Sequence, residues 1–102
     1  MEDFRLFILP DCPYCRRVLA WQEELLAAQP LYRPLAPRIV DEGRQKELTR
    51  GFDYYYVPCY FLDGEKLAEG VLSREQVEKV FRRAWAALYP GVPAPSFPGR
   101  KS

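Results

Sequence analysis

Phe4-Arg5-Leu6-Phe7-Ile8-Leu9-Pro10-Asp11-Cys12-Pro13-Tyr14-Cys15 is the stretch on which the reading of this chain turns. Its apolar half suits a buried central strand. Pro10 and Asp11 break the strand, and the segment after Pro13 reads as a helix. A strand that delivers a C-x-x-C pair to a helix N-terminus is the sequence form of a redox-active dithiol. The first turn of a helix leaves backbone N–H groups unpaired and carries about half a positive charge. A thiolate placed there is stabilised, and the thiolate is the reactive form of cysteine. Pro13 suits a first-turn position, having no N–H to leave unpaired and a φ already near helical. Cys12 is thus the expected nucleophile, with a thiol pKa below that of free cysteine. Cys15, one turn further in, is placed to attack a mixed disulfide on Cys12.

Composition bounds the rest. A chain of 102 residues with 48% apolar side chains suits one packed domain. Fifteen basic and fourteen acidic residues are well mixed, for a net charge of +1. That balance gives no reason to expect nucleic acid or an anionic membrane as partner. The chain has no histidine, which excludes a cysteine–histidine protease and a mixed His/Cys zinc site. Three cysteines are too few for a disulfide scaffold. The opening Met1-Glu2-Asp3 is acidic, and the apolar run after it is too short for a signal peptide or a membrane span. The expectation is a cytoplasmic protein in a reducing compartment.

Outward from the dithiol, a helix is expected from Pro13 to Ala28, with Val18, Trp21 and Leu25 on its apolar face and Leu19 and Leu26 widening the stripe. Residues 30–37 hold three prolines and read as an irregular connection. Arg38 to Asp41 is a strand candidate parallel to the first, and Glu42 to Arg50 a short polar helix. Val57 to Leu62 is a strong strand, and Asp63-Gly64 a hairpin turn that returns Glu65 to Ala68 antiparallel. Ser73 and Gln76 form a capping box. The helix it opens has Val77, Val80, Phe81, Ala84 and Leu88 on one face and Trp85 at its edge. The element order is β-α-β-α-β-β-α. Residues 1–89 then form one domain and residues 90–102 a Pro-rich basic tail.

Two motifs carry a resemblance. Cys12-Pro13-Tyr14-Cys15-Arg16-Arg17 resembles the active site of dithiol glutaredoxins, and Tyr56-Val57-Pro58 resembles the cis-proline signature of the thioredoxin fold. The likeness in element order covers roughly residues 3–89. It implies a glutaredoxin-like protein of the α/β thioredoxin fold: a four-stranded mixed sheet flanked by three helices. It also implies a thiol–disulfide oxidoreductase. Cys12 and Cys15 would be catalytic, and Tyr14, Val57 and Pro58 would contact substrate. Pro13, Arg16, Tyr56 and Gly70 would support them. A proline lacks a ladder donor and is disfavoured in a central strand, and a cis Val57–Pro58 bond accounts for Pro58 there. Val57 would then offer its N–H and C=O to an extended substrate like one more strand. The implied partners are disulfide-containing proteins or small thiols together with a reductase system. No bound cofactor is expected, and glutathione or a flavin-dependent reductase is the implied electron donor.

The chain departs from the glutaredoxin pattern at the glutathione contacts. Leu9 stands where a lysine holds a glutathione carboxylate. In Ala68-Glu69-Gly70-Val71-Leu72-Ser73 only Gly70 remains of a glycine pair, and no aspartate follows. Arg44, Gln45 and Arg50 are candidates for a further contact. The ending Gly70-Val71-Leu72-Ser73 is closer to thioredoxins, yet Leu6 takes the place of their buried aspartate and the Trp-Cys-Gly-Pro-Cys motif is absent. Asp11 opposes the Cys12 thiolate electrostatically, whereas Arg16 and Arg17 favour it. Tyr54-Tyr55-Tyr56 reads as packing, with one ring available to wall the groove. Cys59 reads as a small buried residue, with a third redox thiol or a metal ligand as alternatives. The competing function is metal or iron–sulfur cluster binding through the same cysteines.

Overall fold

Pro10 and Asp11 end the first strand where the sequence places its break. The computed structural model describes residues 3–97, and in it β1 spans Phe4–Ile8 and α1 spans Pro13–Ala28. They are followed by β2 (Arg38–Asp41), β3 (Cys59–Leu62), β4 (Glu65–Glu69) and α2 (Arg74–Leu88). The sheet order is β2-β1-β3-β4. β1 and β2 run parallel through the α1 crossover, and β3 lies antiparallel to both β1 and β4. The protein is therefore α/β with a four-stranded mixed sheet. Asp63 and Gly64 both take positive φ, 50° and 86°, as a tight hairpin between twisted strands requires.

β1 is central and covered on both faces, with Leu6 and Phe7 fully buried. Its pleat divides the core. Phe4, Leu6 and Ile8 join Tyr60, Leu62 and the inner stripes of α1 and α2. Phe7 joins Val40, Cys59 and Phe61 on the opposite face, beneath Leu48, Phe52 and Tyr54. Both α-helices thus cover one face, and the segment between β2 and β3 covers the other.

The α1 stripe differs from expectation at three positions. The buried residues are Cys15, Val18, Gln22, Leu25 and Leu26, while Leu19 and Trp21 are only partly covered. Gln22 goes inside because the buried Tyr60 hydroxyl needs an acceptor there and donates to Gln22 Oε1 at 2.7 Å. On α2 the expected capping box is present: Ser73 Oγ accepts the Gln76 N–H at 3.1 Å, and Gln76 Oε1 accepts the Ser73 N–H at 2.8 Å. Trp85 lies deeper than Leu88, with its indole N–H donated to Val92 O at 3.0 Å.

Three connections correct the sequence reading. Pro30–Leu35 is a 3-10 helix with Tyr32 and Leu35 buried, since the proline φ suits that helix as well as a loop. The helix expected over 42–50 is a short 3-10 turn, Lys46–Thr49. Its first half is diverted because Asp41 Oδ1 accepts the N–H groups of Gly43 and Arg44, at 2.9 and 3.2 Å.

The expected tail is the third. As far as Phe97 it folds back over the helices. The Tyr32 hydroxyl donates to Pro95 O at 2.6 Å and the Gln29 amide to Ser96 O at 3.0 Å. Phe97 is buried, stacked on Tyr32 at 4.7 Å and capped by the Arg82 guanidinium. A proline-rich segment loses little entropy on docking, so one aromatic anchor suffices to seat it. The last five residues of the expected tail, 98–102, lie outside the described residues. We expect Phe97→Ala to lower the unfolding free energy by about 3 kcal/mol in urea titration. An unchanged midpoint would show the segment to be unseated. Among the described residues, no helix is long and apolar enough to cross a membrane.

Candidate active site

Cys12 is held by the turn that leaves β1. Its N–H donates to Leu9 O at 3.1 Å, and its C=O accepts the Arg16 N–H at 3.1 Å, the opening bond of α1. Cys12 is itself the N-cap, with extended backbone, and Pro13 follows at the first helical position. An N-cap side chain ordinarily uses an oxygen to accept a first-turn N–H. Here Cys12 Sγ accepts the Cys15 N–H at 3.3 Å. Partial burial pushes the Cys12 thiol up, but hydrogen bonds from Cys15 and from the Tyr14 N–H, with the Arg16 charge, outweigh it and bring the pKa below its ordinary value.

Cys15 is the opposite case. It is fully buried in the core cluster shared by α1 and α2. Burial pushes its thiol up to about 12, with the neighbouring Cys12 and Glu42 acting in the same direction. Cys59 is also fully buried, on the far face of the sheet with Phe7 and Phe61. Burial, aided by the Glu69 carboxylate, pushes it up to about 12. All three cysteines are free thiols. Among the described residues, no three Cys, His, Asp or Glu side chains are grouped to hold a metal ion.

These states fix the pH behaviour. The folded chain gives up the Cys12 proton more readily than the unfolded chain, so fast alkylation of Cys12 persists to lower pH than for a free thiol. Cys15 and Cys59, raised from 9.0 to about 12, keep protons that the unfolded chain has lost, so their contribution to stability falls as pH rises through that window. We expect iodoacetamide at neutral pH to modify Cys12 and to leave Cys15 and Cys59 intact, read by mass spectrometry of peptides. Modification of Cys59 ahead of Cys12 would reverse the assignment.

The second wall comes from the chain entering β3. The Val57–Pro58 bond is cis, as the sequence reading expects, and Pro58 is buried. The Cys12 thiol points at Val57 O, 3.8 Å away. A groove of about 480 Å³ opens beside them, lined by Tyr14, Tyr56, Val57, Glu69, Gly70 and Val71. Tyr14 is 42% exposed, Tyr56 69% and Val71 67%, so these apolar side chains are wall and not core. Gly70 takes φ +87° and donates its N–H to Pro58 O at 2.9 Å, which closes the sheet under the groove.

The sequence-derived candidates Cys12, Cys15, Pro13, Tyr14, Tyr56, Val57, Pro58 and Gly70 therefore come together at one end of the sheet. Arg16 stays beside Cys12 and hydrogen-bonds Pro10 O, while the Arg17 guanidinium lies over the Tyr14 ring. Tyr54 is elsewhere, stacked on Phe7 with its hydroxyl donated to Glu42 Oε2. Tyr55 is exposed beside the groove loop. Arg44, Gln45 and Arg50 do not line the groove, and the Gln45 side chain is taken by the Asp41 N–H. Sequence reasoning did not assign Glu69 and Val71 to the groove. Val71 carries no signal beyond its place next to Gly70, and Glu69 is a charged residue on a strand, indistinguishable in sequence from a solvated one.

No protein-family model, no curated protein and no solved structure matches this chain.

Proposed function

We propose that the chain is a thiol–disulfide oxidoreductase of glutaredoxin-like type on a thioredoxin fold. The observation that carries this reading is the opposite state of two thiols one helical turn apart: Cys12 caps the helix with a stabilised sulfur, and Cys15 sits beneath it, buried and protonated. The sheet order β2-β1-β3-β4 and the burial of Pro58 beside Cys12 support the fold.

The chemistry follows from that pair. The Cys12 thiolate attacks one sulfur of a substrate disulfide, forming a mixed disulfide and releasing the other sulfur as a thiolate that takes up a proton. Cys15 gives up its proton and attacks Cys12 Sγ, forming the Cys12–Cys15 disulfide and expelling the second substrate thiolate. Two electrons pass from the dithiol to the substrate. An external thiol or a dithiol reductase returns them by the same exchange in reverse. Tyr14 and Tyr56 flank the approach, and Val57 offers backbone groups to an extended segment. The substrates that suit this groove are protein disulfides, and a reducing compartment, the cytoplasm, is the proposed location.

The test is reduction of a protein disulfide with NADPH consumption coupled through thioredoxin reductase, or through glutathione and its reductase. Turnover with the first donor is the expected result. No turnover with either, or purified protein carrying iron or zinc with a visible absorption band, would favour the metal-carrying alternative.

A further inference from the structure

Glu69 does something that its place on an edge strand does not require. Its Oε2 accepts two successive backbone N–H groups, from Tyr55 at 2.5 Å and from Tyr56 at 2.8 Å. Its other oxygen, Oε1, is braced by Lys66 Nζ at 2.8 Å. Residues three apart on a regular strand face opposite ways, because the side-chain period is two. Here they face the same way because β4 carries a one-residue irregularity. Phe61 pairs with Lys66 and Tyr60 with Ala68, which leaves Leu67 unmatched. The extra residue flips the strand once between Lys66 and Glu69. Leu67 and Ala68 pack toward the helices, while Glu69 pairs with Cys59, whose side chain belongs to the other face. The carboxylate thus arrives under the loop that leads to Val57. Tyr56 Cβ lies 3.8 Å from where a side chain on Gly70 would begin, so the loop also rests on the residue next to the clamp.

We infer that Glu69 is a positioning residue: through the Tyr55 and Tyr56 amides it sets the loop whose Tyr56 ring and Val57 backbone form the substrate side of the groove opposite Cys12. This rests on the oxidoreductase reading above. Neither tyrosine ring anchors the loop, since Tyr55 is 82% exposed and Tyr56 69%. The two amides are therefore the loop's hold on the sheet at these residues. With Glu69 ionised and braced, the hold is charge-assisted, and such bonds are the stronger kind. The Lys66 ammonium and both amides keep the Glu69 carboxyl well below the usual carboxylate range, at about 2, so the acceptor is ionised at neutral pH.

The experiment compares wild type, Glu69→Ala and Glu69→Gln by amide hydrogen exchange and by steady-state reduction of a protein disulfide. In the wild type the Tyr55 and Tyr56 amides are expected to be protected. Glu69→Ala should remove that protection and raise KM for the protein disulfide about tenfold to a hundredfold, the loss of hydrogen bonds to a charged acceptor. Its kcat should fall far less, because Cys12 is capped from α1 and not from this loop. Glu69→Gln keeps a carbonyl oxygen for the amides but not the charge, and should restore part of both readouts. A residue that only stabilised the fold would lower the midpoint of unfolding and leave KM unmoved. An active wild type whose KM is indifferent to Glu69→Ala, or whose Tyr55 and Tyr56 amides exchange freely, overturns the clamp alone. A wild type that reduces no disulfide overturns the redox reading, and this role with it.

Discussion

Cys12→Ser is expected to reduce disulfides no faster than a protein-free control, whereas Cys15→Ser should stall after the first half-reaction and accumulate mixed disulfides. The asymmetry comes from burial and capping. Cys12 is partly exposed, accepts the Cys15 N–H through its sulfur, and has its pKa lowered. A serine hydroxyl can replace it as a helix cap but not as a nucleophile, so the fold should survive and the chemistry should not. Cys15 has no exposed surface and a thiol pushed up to about 12, so it cannot start the reaction. Its attack on Cys12 would be intramolecular, and that high effective concentration would offset its reluctance to ionise. Non-reducing mass spectrometry of each variant after exposure to a disulfide-bonded protein reads the outcome directly. Substantial turnover by Cys12→Ser would move the nucleophile to Cys59, which is buried and in the same protonated state as Cys15.

The second large effect is on glutathione. A glutathione-binding groove holds carboxylates with cations, and the groove beside Cys12 has none among its lining residues. Leu9 takes the position of the lysine that the resemblance implies. The charged residue that does reach the groove is Glu69, of the wrong sign, with Lys66 already engaged on its far oxygen. Arg44 and Arg50 lie on the connection after β2 and are not among the lining residues. Charge-assisted hydrogen bonds contribute roughly 1.5–3 kcal/mol each, so losing two should weaken glutathione recognition by about two to four decades. Reduction of a glutathionylated peptide, coupled to glutathione reductase, should be slow and rise without saturation across physiological glutathione. Efficient, saturable turnover would mean that an arginine swings in and replaces the missing lysine.

What the amino-acid sequence determined by itself is the part of this protein written in local physics. The apolar run Phe4–Ile8, the break at Pro10-Asp11 and Pro13 at the helix start specify a strand, a turn and an N-terminus with Cys12 at the cap. Asp63-Gly64 and Ser73 to Gln76 likewise place a hairpin and a helix start from their own turn and capping chemistry. The tertiary structure alone decided the features that depend on partners distant in the chain. Gln22 is buried because Tyr60, 38 residues away, needs an acceptor. Phe97 is anchored because Tyr32 offers a ring and Arg82 a cation, so a proline-rich stretch that reads as a tail becomes part of the body. Glu69 belongs to the site only because a bulge in β4 turns it toward two amides 13 and 14 residues away. Periodicity and capping act over one or two turns of chain and can be read from it. Which polar group a buried hydroxyl finds, and which face a bulged strand shows, is settled when distant segments meet.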